Sequence, residues 1–190
     1  MILEVVKYGH PILRQKGARI EAVNASVKKL VAEMFETMYA GKGVGLAAQQ
    51  VGQALQLTVI DVRGITDRPS TLALKGKPAE VNDFMPLVLI NPEVKPVGET
   101  VGGTEGCLSF PEIYAEITRA ESADVKALNE KGKPIEFRCG GLLARVVQHE
   151  LDHLSGILFI DRMAMETKRE LKPQLEELQA TTKAELKARR

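Results

Sequence analysis

The sequence predicts an α+β fold, with short, mostly antiparallel sheets packed around a central helix and a further helix at the C-terminus. Strand-like runs gather in the middle of the chain and do not alternate with helices, which argues against a doubly wound parallel sheet. A helical stretch with two histidines follows those runs, and a charged helical tail follows it in turn.

The elements are expected in this order. Asn24 and Ser26 are candidate caps for a first helix, whose apolar stripe is Val27, Leu30, Val31, Met34 and Met38. Gly41, Gly43 and Gly45 stop it. Leu57 to Val62 reads as a buried strand. Residues 64 to 86 read as a long irregular connection, since they hold Gly64, Pro69, Gly76, Pro78 and Pro86. Short strands follow at Leu87–Ile90, Ile113–Thr118, Asp124–Asn129 and Ile135–Arg138, with a hairpin turn at Lys131-Gly132. Gly140-Gly141 opens a second helix through Leu142, Val146, His149 and His153, and Gly156 ends it. Ile157 to Ile160 is a candidate strand, and a charged helix interrupted by Pro173 runs from about Glu166. Residues 1–165 are expected to form the catalytic body, and 166–190 a helical extension of the same domain.

A chain of 190 residues suits one compact core. Its 44% hydrophobic and 27% charged residues are ordinary for a globular protein and exclude disorder. A net charge of +1 supplies no global field for nucleic acid, so no direct nucleic-acid specificity is expected. The opening Met1-Ile2-Leu3-Glu4-Val5-Val6-Lys7 lacks the apolar stretch of a secretory signal, and no run reaches membrane-spanning length. Two cysteines, Cys107 and Cys139, make no disulfide framework. A cytoplasmic location without a membrane partner is the expectation.

His149 and His153 lie four residues apart, slightly more than one helical turn, so both imidazoles share a face. Glu150 lies about a quarter-turn round and can lean over an ion without ligating it. This His-Glu-x-x-His arrangement offers two ligands and a general base for metal-assisted hydrolysis. The bland alternative is a buried helix with incidental histidines. A catalytic ion needs a third protein ligand and an open position. Asp161 and Glu166 are the nearest acidic choices downstream; upstream stands Cys107, in Glu105-Gly106-Cys107-Leu108-Ser109-Phe110-Pro111. Alone, such a cysteine is a small buried hydrophobe; beside the histidine motif it becomes the preferred ligand.

Gly43-Val44-Gly45-Leu46-Ala47-Ala48-Gln49-Gln50 superficially suggests a dinucleotide fingerprint. The segment before it is helical, not a strand, so that reading fails. A tight backbone stretch approaching a substrate fits better, with Gln50 aiming its amide at a reacting oxygen. A helix C-cap with a solvent-facing glutamine is the plain alternative.

Taken together, the Gly43–Gln50 and Glu105–Pro111 segments and Gln148-His149-Glu150-Leu151-Asp152-His153-Leu154 resemble the three motifs of the peptide deformylase family, in the same order. The opening Gly9-His10-Pro11-Ile12-Leu13-Arg14 is similar to that family's as well. The resemblance implies metal ligands at Cys107, His149 and His153, a base at Glu150, and oxyanion donors at Gln50 and the Leu108 N–H. It implies a Glu105–Arg119 pair that braces the cysteine-bearing turn; two surface charges are the bland reading. Val44, Gly45, Leu142, Val146 and Tyr114 are expected around the substrate, although Leu142 serves equally as core packing. Tyr114 stands where some members place an arginine, and Gly102-Gly103 where bulkier residues occur.

The implied activity is hydrolysis of the formyl group from N-formylmethionyl peptides, releasing formate. The implied cofactor is one divalent ion, Fe²⁺ before Zn²⁺, Ni²⁺ or Co²⁺. The implied partner is the ribosome, through a C-terminal helix carrying Lys183, Lys187, Arg189 and Arg190; a solvated charged end is the plain reading. Two rivals are a general zinc endopeptidase, which needs a ligand after His153, and a silent peptide-binding protein. His10 is expected in a turn and Cys139 as an inert thiol.

Overall fold

The computed structural model describes residues 1–190. It contains helices α1 (Ala25–Ala40), α2 (Val81–Phe84), α3 (Gly141–Leu154) and α4 (Met165–Ala188). The strands are β1 (Gly45–Ala47), β2 (Leu57–Ile60), β3 (Ser70–Leu74), β4 (Lys77–Ala79), β5 (Leu87–Cys107), β6 (Phe110–Leu128) and β7 (Pro134–Gly140). Their spatial order is β1-β2-β5-β6-β7-β3-β4, and every pairing is antiparallel. The α+β, antiparallel expectation holds.

Several element boundaries need correction. The four short strands expected between Leu87 and Arg138 are parts of three strands, two of them long. β5 and β6 pair through three register shifts, at Ile90/Glu93, Val97/Thr100 and Glu105/Cys107. Such bulges break strict alternation, which hid the continuity. The 64–86 connection is not irregular throughout: it holds the β3–β4 hairpin and the one-turn α2. Its turn uses Lys75 and Gly76, both at positive φ. Ile157–Ile160 is no strand; Phe159–Asp161 forms a 3₁₀ turn. The strand expected at Leu57–Val62 is β2, and it ends at Ile60. Pro173 does not interrupt α4, which runs through it. Pro173 is exposed, so water can satisfy the carbonyl left without a donor.

α1 starts where Asn24 Oδ1 accepts from the Val27 N–H, 3.0 Å away. Its buried face, Val27, Val31, Met34 and Met38, packs with Leu46, Leu57, Val59 and Val88. α3 is buried nearly all round and forms the spine of the molecule. Leu142, Leu143, Val146 and Val147 join a core with Leu72, Leu89, Val125 and Phe137. The supposed loop also starts this helix. Leu142 N–H donates to Pro69 O (2.9 Å) and Leu143 N–H to Ser70 Oγ (3.0 Å), satisfying donors that an α-helix leaves free. α4 lies along a third apolar cluster, with Leu175 beside Leu13, Phe110 and Phe159. No helix is long and apolar enough to cross a membrane.

Candidate metal centre and active site

The β5–β6 turn delivers the cysteine. Cys107 is the last residue of β5 and pairs with Phe110, which leaves Leu108 and Ser109 as a two-residue tip. α3 delivers the two histidines to the same place. Ligand atoms of Cys107, His149 and His153 all lie within 4.8 Å of one another. An ion with tetrahedral bonds of ~2.0–2.3 Å would set its ligand atoms about 3.3–3.8 Å apart, so the widest pair would draw in by about 1 Å. Cys107 Sγ is 3.5 Å from His153 Nε2.

Surrounding charges suit a cation. Glu105 Oε1 contacts His149 Nδ1 at 2.8 Å, which leaves Nε2 as the free nitrogen. Burial pushes the His149 imidazolium down, but Cys107 and Glu105 outweigh it and raise its pKa to about 10. Burial and repulsion from His149 hold His153 well below its ordinary value. Cys107 and Glu105 thus favour positive charge at the His149 end of the cluster. His153 Nδ1 is buried without a hydrogen-bond partner, which leaves Cys107 Sγ, facing Nε2, as the polar contact of this imidazole. The residues fit a resident divalent ion.

The expected Glu105–Arg119 pair is buried, not superficial. Arg119 Nε and Nη2 donate to Glu105 at 2.6 and 2.9 Å, and Arg119 Nη1 reaches Asp152 at 2.9 Å. Arg145 Nη1 adds a third cationic bond to Glu105 at 2.9 Å. Burial raises the Glu105 pKa, yet the His149 and Arg119 hydrogen bonds bring it down to about 2. Gly103 is small for a reason: a Cβ there would come within 2.8 Å of Arg145 Nε.

Glu150 sits beside the cluster, 4% exposed. Burial raises its pKa to about 7, against the lowering pull of His149. Thr58 Oγ1, anchored on Leu46 O, lies 3.5 Å from its Oε2. A Cβ on Gly45 would fall 2.5 Å from Glu150 Oε1, so glycine lets the carboxylate stand against that strand. Gln50 is buried rather than solvent-facing. Its Oε1 accepts from Ala47 N–H at 2.9 Å, which turns Nε2 toward Ser109 Oγ (3.2 Å) and Cys107 Sγ (3.4 Å).

These groups border a cavity of about 430 Å³. Cys107, Leu108, His149, Glu150 and Gln50 line it, and so do Val44, Gly45, Leu142, Val146 and Tyr114. Tyr114 is 65% exposed at the mouth, its ring over Gly106. Leu142 serves both the cavity wall and the core. His153 lies behind the wall. Asp161, weighed as a third ligand, is occupied by Arg14 and by the Leu158 N–H. Lys7 and Arg68 also line the cavity, and the sequence reading missed them along with Arg145 and Thr58. Gly103 was the one local signal for Arg145; nothing in spacing pointed to the others.

A Cys/His/His cluster with a buried glutamate beside it, opening into a pocket of this size, defines a metallohydrolase. The sequence matches the family model described as polypeptide deformylase over residues 2–169. It is 47% identical to the peptide deformylase of Methylacidiphilum infernorum over 178 residues, 94% of this chain and 93% of that one. Among solved structures, Arabidopsis thaliana peptide deformylase 1B superposes with a TM-score of 0.82 at 38% identity, covering 96% of this chain and 93% of the other. The Legionella pneumophila enzyme gives 0.78 at 34%, covering 100% and 99%. The chain belongs to the polypeptide deformylase family, whose members are metalloenzymes that hydrolyse formyl groups from peptides.

Proposed function

We propose that this chain deformylates N-formylmethionyl polypeptides with Cys107, His149 and His153 holding one Fe²⁺ ion. The observation that carries this reading is the convergence of those three ligand atoms beside Glu150 and Gln50. A bound divalent ion supplies Lewis acidity toward water and the formyl oxygen. Glu150 takes the proton of the attacking water and hands it to the departing nitrogen as the C–N bond breaks. The Gln50 amide and the Leu108 N–H donate to the oxygen that gains negative charge. Val44, Gly45, Leu142 and Val146 wall the methionine side chain, and Tyr114 meets the peptide further out. Formate and a free amino terminus leave.

The same reading places the protein in the cytoplasm, where nascent chains emerge. Docking on ribosomes through α4 belongs to it too, supported by the exposed Lys183, Lys187 and Arg190. Arg189 is engaged with Glu4 at 2.8 Å and contributes less. Deletion beyond Thr182 should weaken salt-dependent ribosome binding; unchanged binding removes this part.

Formate release from formyl-Met-Ala-Ser by anaerobically prepared Fe²⁺ protein tests the reading. Activity should decay in air as the ion or Cys107 oxidises, and a Ni²⁺ form should last longer. Internal peptide cleavage without formate would overturn it.

A further inference from the structure

The N-terminal segment straps two elements of the site together. Val6 N–H donates to Gln50 O at 2.9 Å, and Tyr8 N–H donates to Ser109 O at 3.0 Å. Between them, Lys7 Nζ reaches Leu108 O at 3.1 Å from a position on the cavity wall. The Tyr8 ring stacks on Phe110, with centroids 4.9 Å apart. Residues 6–8 thus touch both the Gln50 segment and the β5–β6 tip. The flanking bonds are backbone bonds and survive any side-chain change. The Lys7 bond is the charged member of the set, and it falls on Leu108 itself.

We infer that Lys7 is a positioning residue: its ammonium, clamped on the Leu108 carbonyl, holds the Leu108 peptide at a fixed distance from the Gln50 amide. A hydrogen bond from a charged donor is roughly twice as strong as a neutral one. The Leu108 carbonyl shares its peptide plane with the Ser109 N–H and meets the Leu108 N–H across a single Cα; in a tip only two residues long, anchoring that carbonyl therefore restrains the Leu108 N–H as well. Donors aimed at a developing oxyanion act only in correct geometry, and small displacements are expensive in rate. The inference rests on the proposed roles of Gln50 and Leu108.

Replacing Lys7 by methionine keeps the aliphatic stem and removes the donor; replacing it by arginine restores a cation. Lys7→Met should lower kcat about tenfold with KM within about twofold, and Lys7→Arg should recover most of the loss. In the zinc-loaded protein, Lys7→Met should shift the amide resonances of Leu108 and Ser109 and speed their hydrogen exchange, with Cys139 unaffected. A rise in KM alone, an unchanged kcat, or a kcat loss that arginine does not recover would overturn the inference. So would unaltered Leu108 and Ser109 amides. Wild-type formate release separately reports on the activity, so a failure of that reading shows in the unmodified protein.

Discussion

The Glu105 carboxylate stands 2.8 Å from His149 Nδ1, and this one contact decides which imidazole nitrogen is free for an ion. Glu105 also carries Arg119 and Arg145. Glu105→Ala should therefore weaken metal affinity about 10–100-fold, since the ligand loses its orienting partner. Buried Arg145 would lose its carboxylate and Arg119 one of its two, at a cost of up to roughly 3–5 kcal/mol. Chelator competition and thermal melting read the two effects separately. Unchanged metal affinity would show that Glu105 braces the turn without orienting His149.

Glu150 is expected to move protons rather than hold the ion. Glu150→Gln keeps the shape and the Thr58 contact but removes the base. Its kcat should fall by roughly two to four orders of magnitude with metal content unchanged. Near-normal turnover in metal-replete variant protein would end this assignment.

Gln50 presents its amide nitrogen toward Cys107 and Ser109 because Ala47 N–H occupies its oxygen. Gln50→Ala should lower kcat about a hundredfold or more with little change in KM. A pure KM effect would recast Gln50 as a substrate-binding group.

Much of this site was legible because its chemistry is local. Two histidines four apart on a helix meet by helical geometry alone, and Glu150 between them stays off the ligand face. Cys107 was preferred over Asp161 and Glu166 once it was weighed beside the histidine motif, and the family resemblance pointed the same way; the 42-residue separation from His149 is closed only by the folded sheet and α3. The length of β5 and β6 was hidden by bulges and glycines. The β3–β4 hairpin was obscured by its prolines, since Pro78 sits in an outer strand that tolerates a missing donor. Its role in starting α3 is a tertiary contact, from Pro69 and Ser70, that no periodicity announces.

Away from the cavity, Arg63 hydrogen-bonds Asp61 and holds its pKa at about 2, with Tyr39 adding a bond at 2.6 Å. A carboxylate whose folded pKa is depressed below the unfolded value stabilises the fold fully above the unfolded value of about 3.9. That contribution fades as pH falls through about 2. Asp61→Asn should lower stability at pH 7 and flatten its pH dependence between those values. Parallel stability–pH curves for the two proteins would contradict this.

Cys139 is 1% exposed, its Sγ 3.7 Å from Ala123 O, and burial pushes its pKa up to about 12. Cys107 borders the cavity. A thiol reagent should label Cys107 in the metal-free native protein and leave Cys139 unmodified until unfolding. Labelling of Cys139 at a matching rate would refute the contrast.

In the proposed mechanism, hydrolysis depends on one ion held by Cys107, His149 and His153. Metal-free protein titrated anaerobically with Fe²⁺, with formate release and bound metal followed together, tests it most directly. No turnover is expected without metal, with a linear rise to one equivalent per chain and poor metal retention by Cys107→Ser. Formate release by metal-free protein, or full retention and activity in Cys107→Ser, would contradict it.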